Sequence, residues 1–110
     1  MKIVNPVTAP EAVPSHTVWI DENYYLGDAS ERHEHGTFST LDRAIGASED
    51  IIVEYMTGAY KPGMTAEELY ECYVTFGVDP WISGPGGGAF SAWTYAKEVA
   101  AAMAGETLIT

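Results

Sequence analysis

The chain has little positive charge. Of its 110 residues only five are Lys or Arg, against 16 Asp or Glu, so the formal net charge is −11. Nucleic-acid binding depends largely on Lys and Arg side chains that neutralise phosphates, and the composition therefore argues against direct binding of DNA or RNA. Residues 21–54 alone hold nine acidic and two basic side chains. We expect an acidic folded surface that favours a basic or polar protein partner.

Cysteine and long apolar runs are also scarce. Cys72 is the only cysteine, so the chain cannot form an internal disulfide or supply a cluster of thiolate metal ligands. No run approaches the roughly 18 to 20 apolar residues of a membrane-spanning helix. The first residues also lack the apolar stretch of about 7 to 15 residues that marks a secretion signal. These features predict a cytoplasmic protein without membrane contact.

Large apolar side chains are present in sufficient number for a core. Hydrophobic residues make up 46% of the chain, which contains three Trp and seven Tyr, and this distinguishes it from an acidic disordered tail. Its length is typical of one domain. Pro6, Pro10 and Pro14 exclude a helix from residues 1–15 and predict an extended arm. Residues 16–110 are expected to form a single α+β domain.

Two segments rich in β-branched and aromatic residues follow the arm. They are residues 16–25 and 32–38, and the Leu26–Ser30 segment between them has the composition of a turn. The pattern predicts an antiparallel hairpin. Its best core candidates are Trp19, Tyr25 and Phe38.

A first helix is predicted after Phe38. Ser39 is suited to cap it, because a serine oxygen can accept a hydrogen bond from a backbone amide of the first turn. Apolar or small residues then recur at spacings of three and four. They are Leu41, Ala44, Ile45, Ser48, Ile52, Tyr55 and Ala59. This single stripe predicts a helix that buries one face.

Two further helices have clear boundaries. Thr65 and Glu68 have the spacing of a capping box, and Gly77 is suited to end the second helix. A last helix is predicted from near Ser91 to Gly105. Between these two helices, Val78–Ile82 reads as extended because Pro80 disfavours helical backbone before it.

The predicted fold is α+β: a β-hairpin followed by two helices, a short extended segment and a C-terminal helix, with the helices packed on one face of a small antiparallel sheet. A two-stranded sheet is marginal alone. We therefore expect a third strand, from the N-terminal arm, from Val78–Ile82 or from the C-terminus, or dimerisation through a sheet edge or an aromatic patch.

Three blocks of sequence carry a resemblance. They are residues 18–38, the block that contains YKPGMTAEELY and continues to Trp81, and the block FSAWTYAK at residues 90–97. Together they resemble a family of small bacterial proteins of unknown function. The resemblance implies no activity, so it assigns no catalytic residue.

The His33-Glu34-His35 segment is the best candidate for a metal site. Alternate side chains of a strand share one face, so both imidazoles could bind one divalent metal ion, with Asp21 or His16 from the paired strand completing the ligands. The alternative is an exposed polar strand face, which the neighbouring Arg32 favours. The leading expectation is no cofactor, with a divalent metal ion as the alternative.

The loop Gly84–Gly88 precedes the last helix, as phosphate-binding loops do. It lacks the Lys and Ser/Thr of a Walker motif and does not match the dinucleotide fingerprint. We interpret it as a flexible connector.

Several aromatic residues exceed what a small hairpin can bury. Aromatic side chains are enriched at protein interfaces, so some of these are expected to form a contact patch. The candidates are Tyr24, Tyr25, Trp81, Trp93 and Tyr95.

The leading functional hypothesis is a small acidic protein-interaction module without enzymatic activity, which binds a protein partner or its own copy. One alternative is a metal-binding protein or enzyme that uses His33, His35 and Asp21. The other is a nucleic-acid mimic, which fits the negative charge and would bind a basic protein.

Overall fold

The fold is α+β, as predicted. The structure is a computed structural model that describes residues 15–25 and 32–105. Its strands and α-helices are β1 (His16–Glu22), β2 (His33–Phe38), α1 (Leu41–Ala59), α2 (Ala66–Phe76), β3 (Val78–Ser83) and α3 (Ala92–Met103). The predicted arm, the turn at Leu26–Ser30 and the chain end at residues 107–110 lie outside the described residues, apart from Ser15.

The three strands form one antiparallel sheet in the order β2-β1-β3. The expected third strand is therefore the segment around Pro80, which pairs with β1. Each outer strand has a feature that opposes the addition of another strand. In β2, Trp19 pairs with Glu34 and Val18 with Gly36, which leaves His35 as the extra residue of a β-bulge. In β3, Pro80 removes one backbone N–H, and proline is typical of edge strands.

The buried apolar side chains of the described residues form two clusters. The larger one joins the three helices and contains Ile52, Met56, Leu69, Tyr73, Ala92, Ala96 and Ala100. The smaller one joins α1 to the sheet and contains Val18, Ala44 and Ile82. The apolar stripe predicted for α1 supplies residues to both clusters, so this helix connects them.

Alternation along β1 decides which side chains reach these clusters. His16, Val18 and Ile20 are buried, whereas Trp19 and Asp21 are only partly buried. Because neighbouring residues of a strand point to opposite faces, Trp19 lies on the face away from the helices. The prediction that Trp19 belongs to the core is therefore wrong, because its side chain lies on the opposite face of the sheet.

The other two predicted core residues differ from Trp19. Phe38 packs against the smaller cluster, as expected, because it pairs with His16 on the helix side of the sheet. The side chain of Tyr25 lies outside what the structure describes, and its backbone belongs to a 3-10 turn at Asn23–Tyr25 that ends the predicted strand early.

Helix ends agree with the local sequence signals, with one correction. Thr40, and not Ser39, caps α1, and its hydroxyl accepts from the Arg43 amide at 3.2 Å. The capping box of α2 is confirmed: the Thr65 amide donates to the Glu68 carboxylate at 3.0 Å, and the Glu68 amide donates to the Thr65 hydroxyl at 3.1 Å. Gly77 ends this helix.

The Gly84–Gly88 loop is a hydrogen-bonded turn, which differs from the predicted flexible connector. The Gly87 amide donates to the Gly84 carbonyl at 3.1 Å, and the His16 ring donates from Nε2 to the Pro85 carbonyl at 2.8 Å. Gly87 is buried against the backbone of Ile82, where an added Cβ would lie 2.9 Å from the carbonyl carbon. The glycine is there because the two backbones approach closely.

Candidate interaction face

Two tryptophans stack on the face of the sheet that points away from the helices. Trp19 of β1 and Trp81 of β3 are direct cross-strand partners, with ring centroids 6.1 Å apart and planes 21° apart. The Trp19 indole N–H donates to the Ser83 hydroxyl at 3.2 Å. Neither ring belongs to the buried clusters, and both are half-buried. Aromatic cross-strand pairs of this kind stabilise a sheet and also present a flat apolar surface.

Arg32 lies over this stack. Its guanidinium carbon is 5.0 Å from the Trp81 ring centroid, which is within the range of a cation–π contact. Its Nε donates to Asp21 Oδ1 at 2.7 Å and its Nη2 to Oδ2 at 3.0 Å, a two-point pairing of guanidinium and carboxylate. We call the surface formed by Trp19, Trp81, Asp21 and Arg32 the tryptophan face.

The ion pair shifts the ionisation of both partners. The hydrogen bond from Arg32 lowers the pKa of Asp21, against a smaller opposing effect of burial. The hydrogen bond to Asp21 raises the pKa of Arg32. Both groups therefore stay charged over the physiological range of pH.

A second carboxylate lies beside Asp21. Asp79 of β3 is its direct cross-strand partner. Burial raises the pKa of Asp79, a hydrogen bond with Trp93 lowers it, and the negative charge of Asp21 raises it further. The tryptophan face thus ends in two acids, of which one is neutralised by Arg32 and the other is partly desolvated.

An exposed aromatic pair lies beyond this end of the sheet. The Asn23 amide donates to the Gly77 carbonyl at 3.0 Å and extends the pairing of β1 and β3. The next residues outward, Tyr24 and Phe76, stack with centroids 5.8 Å apart while they remain 64% and 62% exposed. Large apolar side chains with this exposure are typical of contact surfaces.

The aromatic residues predicted as one contact patch lie in different places. Trp81 belongs to the tryptophan face and Tyr24 to the exposed pair. Trp93 packs edge-on against Tyr73 among the helices, at 5.7 Å between centroids, and Tyr95 packs against Phe90. The side chain of Tyr25 lies outside the described residues. A role of all five in binding stays a prediction.

Tyr95 borders an acidic groove of about 260 Å³. Glu49 and Glu98 line it, together with the Ser91 end of α3. Burial raises the pKa of Tyr95, and the negative charges of Glu49, Asp50 and Glu98 add to the effect. This groove lies on the helical side of the molecule, apart from the tryptophan face.

The predicted metal ligands are not gathered at one point. His33 is the cross-strand partner of Ile20 and shares its face, whereas Asp21 follows Ile20 and points to the other face, where it binds Arg32. His35 is the extra residue of the bulge. In the ranges 15–25 and 32–105, no group of three or more His, Cys, Asp or Glu is placed to hold a metal ion. A metal site at these residues stays a prediction.

The glycine loop does not present its amides as a phosphate cradle would. The amides of Gly87, Ala89 and Phe90 all donate to carbonyls within the loop, at 3.0 to 3.2 Å. A phosphate site needs such donors to point at the ligand. The loop therefore acts as a structured connection between β3 and α3.

Comparison of the chain with protein-family models, with curated proteins and with solved structures finds no match. Within the described part of the chain, no helix combines the length and apolarity needed to span a membrane.

Sequence reasoning missed the central part of the site. The sequence pattern indicates Arg32 only as a neighbour of the two histidines, whereas in the structure it forms the ion pair of the tryptophan face. A signal was present: Trp19 and Asp21 are two residues apart in one strand, as are Asp79 and Trp81 in another. If these strands pair in antiparallel register, that spacing brings like residues together.

Proposed function

We propose that the protein is a small, non-enzymatic interaction module that uses the tryptophan face to bind a basic segment of a partner protein. One observation carries this proposal: two stacked indoles lie on the sheet face away from both buried clusters, and a guanidinium already lies against one of them. Tryptophan is the residue most often found at the energetic centre of protein interfaces.

Charge supports a basic partner. Asp21 and Asp79 lie at one end of the face, and Glu34, as the cross-strand partner of Trp19, lies on the same side of the sheet. The whole chain has a net charge of −11. Two copies would repel each other, whereas a segment rich in Arg or Lys would be attracted and oriented.

The sheet edges support the face as the docking surface. The bulge at His35 and Pro80 each interrupt regular strand addition. A partner that binds to the side chains of the sheet face does not need to pair with either edge strand, so neither interruption hinders it. The half-buried indoles are also held by strand pairing and mutual stacking, so little ordering cost is added on binding.

The test is a titration followed by NMR. An octapeptide of alternating Arg and Gly is added to ¹⁵N-labelled protein, and the three indole N–H signals are followed. We expect the signals of Trp19 and Trp81 to shift with saturation, and by more than that of Trp93. The Trp93 ring packs among the helices, and its hydrogen bond with Asp79 connects it only to the end of the face. A shift of the Trp93 signal alone, or of no indole signal, would refute the proposal.

Two variants distinguish binding at the tryptophan face from simple attraction between a polycation and an acidic protein. Trp19→Thr introduces a residue that is also favoured in strands and is expected to weaken peptide binding about tenfold, which corresponds to an interface contact of about 1.4 kcal/mol. Glu54→Gln removes one exposed negative charge from α1, on the other side of the sheet, and should change affinity little. If net charge alone determines binding, Glu54→Gln should weaken it and Trp19→Thr, which changes no charge, should not; that result would refute the proposal. Circular dichroism confirms that both variants are folded.

A further inference from the structure

Arg32 is bound to its own protein in the way that an arginine ligand would be. We propose that the Asp21 carboxylate and the Trp81 ring form a guanidinium-binding site, which Arg32 fills in the free protein and an arginine of the partner fills in the complex. This inference depends on the proposed function and adds to it the ligand group and the exchange step.

The geometry is specific for a guanidinium. Two parallel hydrogen bonds, at 2.7 and 3.0 Å, join one edge of the Arg32 fork to both oxygens of Asp21. Its central carbon lies 5.0 Å from the centroid of the Trp81 ring. A guanidinium is planar, weakly hydrated and rigid, so it can pair with a carboxylate and contact an aromatic ring at once. An ammonium group is a compact point charge and gains less from this arrangement. The site should therefore prefer Arg to Lys.

The resident side chain is able to leave. Arg32 precedes β2 and is not part of the strand. Its side chain is 39% exposed and that of Asp21 is 32% exposed, and ion pairs with such exposure are weak. A partner's arginine can reach the same carboxylate from solvent, and Asp79, the cross-strand partner of Asp21, places a second carboxyl group beside it. Exchange replaces one ion pair by an equivalent one, so the remaining contacts of the partner determine the affinity.

Two matched variants test the exchange. Arg32→Gln vacates the site, and Arg43→Gln removes an exposed arginine from the first turn of α1 with the same change in net charge. Affinity for the Arg–Gly octapeptide is measured by isothermal titration, with a Lys–Gly octapeptide as the second probe. A resident ligand lowers the apparent affinity by the fraction of protein in which the site is filled. We expect Arg32→Gln to bind the arginine peptide roughly threefold to tenfold more tightly than Arg43→Gln does, on this occupancy argument.

A spectroscopic readout separates displacement from a structural role. The Nε–H of Arg32 donates to Asp21 in the free protein, so its NMR signal should move to the position of a solvated arginine when the peptide saturates. Asp21→Asn should abolish the preference for the arginine peptide over the lysine peptide.

The outcomes distinguish the two proposals. If the Trp19 and Trp81 signals shift but Arg32 Nε–H stays in place and the two arginine variants bind equally, the exchange is wrong and the docking face stands. Weaker binding by Arg32→Gln would mean that Arg32 itself contacts the partner, which also refutes exchange. If neither peptide binds wild type or Arg32→Gln, both proposals fail.

Discussion

Tyr73 of the larger buried cluster and Tyr55, which packs against that cluster, are expected to respond to the same substitution with opposite signs. Tyr55 donates from its hydroxyl to the Cys72 carbonyl at 3.0 Å. Tyr73 is fully buried, and within the described residues its hydroxyl makes no hydrogen bond of regular geometry, although the Asn23 side chain lies close enough to lower the pKa of Tyr73 against the larger effect of burial. The perturbation is replacement of each by Phe, which removes one oxygen and keeps the ring.

The magnitudes follow from what each oxygen does. A buried hydroxyl without a partner costs about 1 to 3 kcal/mol, and a satisfied hydrogen bond contributes about 0.5 to 1.5 kcal/mol. The aromatic contacts of Tyr73 with Tyr55, Tyr70 and Trp93 involve only its ring. We therefore expect Tyr73→Phe to raise the free energy of unfolding by about 1 kcal/mol and Tyr55→Phe to lower it by about 1 kcal/mol.

Urea unfolding followed by circular dichroism measures both changes, and an unchanged dependence on urea concentration shows that the transition remains comparable. The dependence of the free energy of unfolding on pH in the alkaline range provides a second measurement. Burial first, and the charge of Asp79 next, raise the pKa of Tyr73 above its ordinary value. Ionisation of this hydroxyl therefore leaves stability unchanged below about pH 10. Stability falls as pH rises from there towards the folded pKa, because the tyrosine ionises more readily in the unfolded chain. Tyr73→Phe should remove part of that loss.

The reasoning is refuted if Tyr73→Phe destabilises the protein as much as Tyr55→Phe does. That result would mean that the Tyr73 hydroxyl has a partner, such as a buried water molecule, whose loss outweighs the gain. If wild type and Tyr73→Phe lose stability identically at alkaline pH, the inference that the pKa of Tyr73 is raised is wrong, independently of the first result.

Two further perturbations have opposed controls. Burial and then the charge of Asp21 raise the pKa of Asp79. Its neutral form therefore adds stability below about pH 4, and this stability is lost as pH rises through the folded pKa. Asp79→Asn should accordingly stabilise the protein at pH 7 and not at pH 3. Arg32 lowers the pKa of Asp21, so the Asp21 carboxylate adds stability above about pH 4 and Asp21→Asn should destabilise the protein at pH 7. Urea titrations at pH 3 and pH 7 compare the two variants, and equal effects of the two would contradict the predicted signs. Gly87→Ala forces a methyl group against the backbone of Ile82 and should cost about 1 to 3 kcal/mol. Gly88→Ala, with nothing within 4 Å, should be nearly neutral in thermal unfolding, and equal melting temperatures would show that the close approach is absent.

Local signals in the sequence predicted local structure well. The capping box at Thr65 and Glu68 and the glycine at the end of α2 involve groups within a few residues of each other, so spacing alone predicts them. The observed cap of α1 is Thr40 and the predicted one is Ser39, because the hydroxyls of both residues can accept a hydrogen bond from the first turn. The sequence does not decide between such neighbours.

Features that depend on strand register were not predictable. The bulge at His35 breaks the alternation that would have placed His33 and His35 on one face. Alternation predicts that Trp19 and Asp21 share a face, but not that the helices cover the opposite one. The Arg32 contact needs both facts together, so it emerges only from the folded chain.

The tryptophan face also has a consequence for the order in which the chain folds. Trp19 donates to Ser83 across 64 positions of sequence, and β1, the first strand described, is the central strand of the sheet. Closing so long a loop costs entropy that is recovered only after the helices between the strands have packed. The two indoles should therefore come into contact among the last events of folding. A fluorescence change from their stacking would report completion of the sheet, and a chain interrupted before β3 would lack Trp81 and therefore the tryptophan face.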